Sequence, residues 1–364
     1  MKQRELNRDQ KVLYFEVMRI FAAFFVVFNH SGNYGFARFC LYPDSSVLFW
    51  IYLAMAVFCK FAVPLFFMIS GALMLHKTDE PLKKLWKEKI LKYAIIIVVI
   101  SLVYFLFYVW RGTLELDWFY FGKEMYTAQI HAFMWYLYAY IAFLISLPFL
   151  RALVKQLDDK YFLYLIVLSL ITSGVFPVLD YFLWGDEAKI NAHFGSLWFA
   201  QTIVLYPCIG YFLEHRVDAA QTRKWILPLW FFNATLIGLT CVVTYFRGQD
   251  MGEYSGGLSE KYFSAFTLVN AMTLYITIRH LMLKVRVKPW LKKGITMMSG
   301  CTFGVYLIHF LILDLGYGRI LFDVIVDMGI NSMVAGLCMC LFVMAVSVLI
   351  TMILKQIPVI RNYI

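Results

Sequence analysis

Ten apolar runs of about 20 residues or more occupy most of this chain. They lie near 15–36, 47–75, 90–110, 129–149, 160–180, 194–213, 225–245, 262–281, 294–315 and 329–354. A helix of that length rises about 30 Å, the thickness of a bilayer's hydrocarbon core. In lipid every backbone N–H and C=O must find its partner within the protein, which leaves helices as the simplest solution. The expected fold is an all-α integral membrane protein, a bundle of about ten transmembrane helices. Composition agrees, because 62% of residues are hydrophobic and only 15% charged, where a soluble domain carries about one quarter charged. The connections are short, so 1–364 reads as one transmembrane domain with no separate soluble domain. The first run is too long for a signal peptide and is expected to be retained. The second is too long to stand upright, and Pro64 is its expected kink.

The basic residues set the orientation. With the N-terminus inside, 24 of the 33 Lys and Arg fall in inner segments and seven in outer loops, leaving Arg19 and Lys60 within runs. Positive residues collect on the cytoplasmic side of membrane proteins. Both termini are therefore expected to be cytoplasmic. The net charge of +10 is accounted for by this asymmetry and does not imply a nucleic-acid partner. Seven cysteines, at 40, 59, 208, 241, 301, 338 and 340, show no C-x-x-C spacing and lie mostly in apolar runs. They read as small buried hydrophobes, with neither a zinc site nor a disulfide framework.

A few polar residues inside the runs need a reason. Arg19 and His30 are eleven residues apart in the first run. On a helix that separation is three turns plus about 20°, so both occupy one face, about 16 Å apart in rise. Glu16 lies nearly on the same face, and Asn29 flanks His30. Charges and imidazoles are costly against lipid and should face a protein interior or a wet cavity. Taken singly, Arg19 fits snorkelling to the headgroups and His30 fits hydrogen-bonded packing. Lys60 lies within the second run, and Ser70-Gly71 form a small pair near its inner end. His131 and Trp135 open the fourth run, four residues apart, where an interfacial anchor is also expected. Tyr306 and His309 share a face of the ninth. His193 begins the sixth at its outer boundary. His30, His131 and His309 are thus expected to converge near the outer leaflet, with Arg19 near the inner one and a wet tunnel between. Histidine suits general-base chemistry near neutral pH. Arginine suits phosphate. Paired histidines at i,i+3 or i,i+4 are absent from the sequence, and carboxylates near the outer histidines are few, so no metal is expected.

Arg19 and His30, with ten residues between, resemble the Arg-x10-His signature of the membrane-bound acyltransferase family 3. The resemblance continues in PLFFMISGALML (64–75), HAFMWYLYAYI (131–141) and FGVYLIH (303–309). It implies transfer of an acyl group, usually acetyl, from cytoplasmic acyl-coenzyme A to a hydroxyl of a cell-envelope glycan. It further implies a bacterial cytoplasmic-membrane enzyme, with a glycan or lipid-linked glycan as acceptor and acetyl-CoA as donor. The hydrolase-like domain that some members append is not expected here. Glu16 stands where the family usually has Asp. Lys83, Lys84, Lys87 and Lys89 stand where its arginines are commoner.

On this resemblance, coenzyme A phosphates meet Arg19 and the 83–92 cluster, and the thioester reaches His30, which deprotonates the acceptor hydroxyl. Glu16 orients Arg19. Tyr306, His309 or Ser70 lines the channel or holds the oxyanion. Lys60, His131, Trp135 and Asn29 meet the acceptor. Both direct transfer and an acyl-histidine satisfy the sequence. The competing reading is a transporter or exporter of a polysaccharide or small polar substrate, which would move its cargo without releasing coenzyme A.

Overall fold

The structure, a computed structural model, describes residues 2–77, 80–185, 191, 199, 201–254 and 266–364, with side chains from residue 13 onward. Among these residues the regular structure is entirely helical. Seven helical segments are long and apolar enough to cross a membrane. They are α2 (Val47–Met74), α3 (Leu82–Trp110), α5 (Ala132–Gln156), α6 (Asp159–Trp184), α8 (Gln221–Met251), α10 (Pro289–Leu315) and α12 (Ser332–Leu354). The other three expected spans coincide with α1 (Lys2–Asn29), α7 (Thr202–His215) and α9 (Thr267–Lys284). Of these, α7 is shorter, and α1 and α9 are more polar. Two short helices, α4 (Trp118–Thr127) and α11 (Tyr317–Asp327), fall in segments expected to be loops. His193, the start of the sixth run and residues 255–265 at the start of the eighth lie outside the described residues.

Helix α1 is the axis of the bundle. It packs against α2, α9, α10 and α12, and Met18, Ala22, Val27 and Phe28 are fully buried. Apolar side chains of α3, α6 and α8, such as Val99, Leu163 and Phe231, are exposed and suit contact with lipid tails.

The break in α2 falls at Cys59–Phe61, where a 3-10 turn interrupts the α-helix. The expected kink at Pro64 is thus displaced by one turn, for a local reason. Proline has no N–H to give the carbonyl four residues earlier, that of Lys60. The helix restarts at Ala62 and places Pro64 in its first turn, where the missing donor costs least. Asn270 from α9 donates to the Phe58 carbonyl at 2.7 Å, satisfying a backbone group exposed by the break. Beyond it, α2 crosses α7 in near backbone contact. A Cβ on Gly71 would strike the Pro207 backbone, and one on Gly210 the Met68 backbone. Small residues permit this approach, and the close packing follows from them.

Candidate active site

The end of α1 meets the C-terminal part of α10 through two histidines. His30 follows the last helical residue of α1, its N–H bonded to the Val27 carbonyl at 3.1 Å. His309 is fully buried. Its Nδ1 lies 3.0 Å from the Val305 carbonyl and 2.8 Å from that of Tyr306. A carbonyl can only accept, so Nδ1 of His309 carries the proton and Nε2 presents a lone pair. That Nε2 is 3.0 Å from Nδ1 of His30. In the neutral pair His30 therefore donates from Nδ1, and its Nε2 is left bare. The rings are nearly parallel, 23° apart with centroids at 5.1 Å. This is the arrangement a general base requires: one nitrogen fixed by an orienting partner, the other open to a substrate.

His30 lines a cavity of about 650 Å³. Asn29, Lys60, Trp135 and Tyr306 line it too. The Lys60 ammonium sits over the Phe36 ring, 4.3 Å from its centroid. Asn29 accepts from the Cys59 thiol at 3.6 Å. His131 is placed differently. Its Nδ1 accepts from the Phe133 N–H at 3.3 Å, capping the first turn of α5. Its ring packs on Phe310 at 4.2 Å, and His30 packs on the same ring at 4.6 Å. The expected meeting of three histidines is a hydrogen-bonded pair, with the third reaching it through the rings of Phe310 and Phe133.

Arg19 lines a second cavity of about 230 Å³, with Ser70, Tyr93, Tyr136 and Tyr140. The Ser70 hydroxyl bonds back to the Phe66 carbonyl at 2.9 Å. Val26, Val63, Tyr136 and Tyr306 line both cavities and form the partition between them. The Tyr306 hydroxyl donates to the Phe133 carbonyl at 2.8 Å, so its proton is engaged in holding that wall. Glu16 is buried and accepts from Thr296 at 3.0 Å. Among the described residues no ion pair joins Glu16 to Arg19, so its link with Arg19 is one of charge at a distance.

A third cavity of about 560 Å³ opens at the basic end of the bundle, lined by His76, Lys77, Glu80, Lys84, Lys89 and Arg151. Of the four lysines singled out in sequence, Lys84 and Lys89 line it. Lys83 and Lys87 are exposed and line none of the three cavities. Lys89 donates to Glu80 at 2.6 Å and holds its carboxyl below the usual carboxylate range. Arg151 bonds the Met74 carbonyl at 3.1 Å, and Met74 also lines the Arg19 cavity. Sequence reasoning counted Arg151 only as an inner-loop charge. The available signal was its place in the same helix as Trp135 and Tyr140. No group of three or more His, Cys, Asp or Glu among the described residues has a metal-binding arrangement.

The Arg19 and His30 cavities adjoin at one partition, and the basic cavity is tied to the first of them by the bond from Arg151 to Met74. No curated protein and no solved structure matches the chain. The sequence model of a family described as "Acyltransferase domain" matches residues 12–352. That is nearly the whole chain, it contains both histidines and Arg19, and it places this multi-pass membrane protein in the membrane-bound acyltransferase family 3.

Proposed function

We propose that the protein transfers an acyl group, acetyl in the first instance, from cytoplasmic acyl-CoA to a hydroxyl of an extracytoplasmic or lipid-linked glycan. The observation that carries this reading is the His30–His309 pair facing a cavity that shares a partition with the Arg19 cavity. In the proposed orientation, ten spans place both termini and the basic cavity on the cytoplasmic side of a bacterial inner membrane. The donor's phosphates enter by the basic cavity and Arg19. Its pantetheine arm, comparable to roughly four or five extended residues, spans about 15 Å. That reach matches the rise of about 16 Å from Arg19 to His30. The arm passes the partition of Val26, Val63, Tyr136 and Tyr306 and brings the thioester beside His30.

The acceptor hydroxyl enters the larger cavity from the outer side, past Lys60, Trp135 and Asn29. His30 Nε2 takes the hydroxyl proton as the oxygen attacks the thioester carbonyl. The C–S bond breaks, and the coenzyme A thiolate leaves with the proton returned by His30. The transient imidazolium is stabilised through Nδ1–H by the His309 lone pair. His309 touches neither substrate in this scheme and is a positioning residue. Glu16 sets the local charge around Arg19, and Ser70 lines the donor's path.

The test is acyl-CoA-dependent labelling of envelope glycan by the purified protein, with coenzyme A release followed in parallel. His30→Ala should reach the membrane in normal amount and lose transfer by about a hundredfold or more. Near-normal product from this variant would remove His30 from the chemistry. Movement of a glycan with no release of coenzyme A would identify a transporter instead.

A further inference from the structure

When an acceptor oxygen attacks a thioester, negative charge develops on the carbonyl oxygen, and a donor aimed at that oxygen lowers the barrier. The three groups that sequence reasoning offered for this task have their protons committed. Tyr306 gives its hydroxyl proton to the Phe133 carbonyl at 2.8 Å. Ser70 gives its own to the Phe66 carbonyl at 2.9 Å. His309 directs Nδ1–H at the Val305 and Tyr306 carbonyls. The reacting carbonyl sits where the donor's path enters the His30 cavity. Among the described residues Val26, Val63, Tyr136 and Tyr306 line both cavities. The valines carry no side-chain donor and Tyr306 is engaged, which leaves Tyr136. Its hydroxyl meets no acceptor among the described residues. Nor is it sealed inside the protein, as the unmet nitrogens of Arg38 and Arg151 are. It therefore opens into the cavities that its side chain lines. Asn29, Lys60 and Trp135 also carry donors but line only the larger cavity, and Arg19 lines only the smaller.

We propose that Tyr136 is a catalytic residue, the hydrogen-bond donor to the thioester oxyanion; this assignment rests on the acyl-transfer function proposed above. As the acceptor oxygen bonds to the carbonyl carbon, His30 Nε2 takes the hydroxyl proton and one C=O electron pair moves onto the carbonyl oxygen. That oxyanion accepts a hydrogen bond from the Tyr136 O–H, which keeps its proton throughout. The pair then returns, the C–S bond breaks, and the coenzyme A thiolate receives the proton from His30. The phenol is held ready for this. Its ring lies 5.3 Å from that of Phe67 at 64°, and 5.2 Å from that of Tyr306 at 65°. Tyr136 follows directly on the 3-10 turn Ala132–Met134 and Trp135. The carbonyl that takes the Tyr306 proton, that of Phe133, belongs to this turn, so one turn positions both rings. A phenol is neutral at rest and brings no charge into the partition. Val26 and Val63 beside it keep the surroundings apolar, where a bond to an oxyanion is worth more than in water.

The full-length protein in lipid nanodiscs is assayed for coenzyme A release from acetyl-CoA in the presence of an envelope glycan preparation. Tyr136→Phe keeps the ring and removes only the hydroxyl. It should lose about a hundredfold in kcat, with KM for acetyl-CoA changed by no more than about twofold. Its melting temperature should equal that of the wild type, because the hydroxyl bonds to no group of the fold. Binding is read separately with acetyl-dethia-CoA, a ketone with a methylene in place of the thioester sulfur, which cannot transfer its acyl group. Tyr136→Phe should bind it within about threefold of the wild type. Wild-type kcat in Tyr136→Phe overturns the assignment. A loss confined to KM or to binding of the ketone does so too, since it makes the hydroxyl a ground-state contact. A lowered melting temperature overturns the open hydroxyl on which the assignment stands. A wild type that releases no coenzyme A overturns the acyl-transfer reading itself, whereas turnover by the wild type and an equal rate in Tyr136→Phe overturn this inference alone.

Discussion

Replacing His309 tests the catalytic arrangement most directly, because the side chain is distant in sequence and fully buried. Its Nε2 accepts the His30 Nδ1 proton at 3.0 Å. When His30 takes a proton during transfer, this becomes a hydrogen bond to a charged donor, worth about 1.5–3 kcal/mol. Losing it corresponds to roughly 10- to 150-fold in rate. Without the lone pair, His30 can also adopt the other tautomer, with its proton on Nε2 and no lone pair facing the cavity, which lowers the population of the competent base. His309→Phe fills most of the ring volume and removes the acceptor, so it should lose about a hundredfold in kcat with little change in KM for acetyl-CoA. His309→Gln places an amide oxygen where Nε2 stood and should recover activity to within about tenfold of the wild type. The assay is coenzyme A release by purified protein in lipid nanodiscs, with protein amount and thermal stability checked for each variant. Wild-type kcat in His309→Phe would refute the orienting role, as would equal losses in the Phe and Gln variants.

Three further outcomes follow from the same geometry. Tyr306→Phe breaks only the bond to the Phe133 carbonyl. It should lower thermal stability by about 1 kcal/mol and leave kcat within a few fold, whereas a hundredfold loss would make its hydroxyl an oxyanion donor. Gly71→Ala drives a methyl group into the Pro207 backbone and should cost about 1–3 kcal/mol or more. It would be read as a lower melting temperature or an aggregated peak on size-exclusion chromatography, and a normal melting curve would disprove the close crossing. Lys89 holds the Glu80 carboxyl below its ordinary range. Its stabilising contribution is therefore complete above the unfolded carboxylate pKa and disappears as pH falls through the lower folded value. Melting temperatures taken down a pH series should show an acid-side drop that is smaller in Glu80→Gln, and identical profiles would contradict it.

Much of the fold was legible because its cause is local. The apolar runs foretold each helix long enough to span, since a helix in lipid needs only its own backbone bonds. Arg19 and His30 could be set on one face by helical period alone, and they line adjoining cavities. Pro64 announced a defect in α2, although the defect sits at the carbonyl the proline fails to serve rather than at the proline. His131 shows where this reasoning stops. Its sequence position matched the other two histidines, yet its ring nitrogen caps a neighbouring turn. Lys83 and Lys87 were indistinguishable from Lys84 and Lys89 until the packing of the helices put the latter two in the lining of the basic cavity.

The sequence by itself determined that this is a helical membrane protein with a cation and an imidazole aligned within its first helix. It did so because burial in lipid and helical period act over a few residues at a time. Only the tertiary structure decided that His309 lies within hydrogen-bond distance of His30, that Arg151 shares the basic cavity with Glu80, and that two cavities meet at one partition. These are contacts between helices far apart in the chain, fixed by which faces pack together, and no local pattern records that choice.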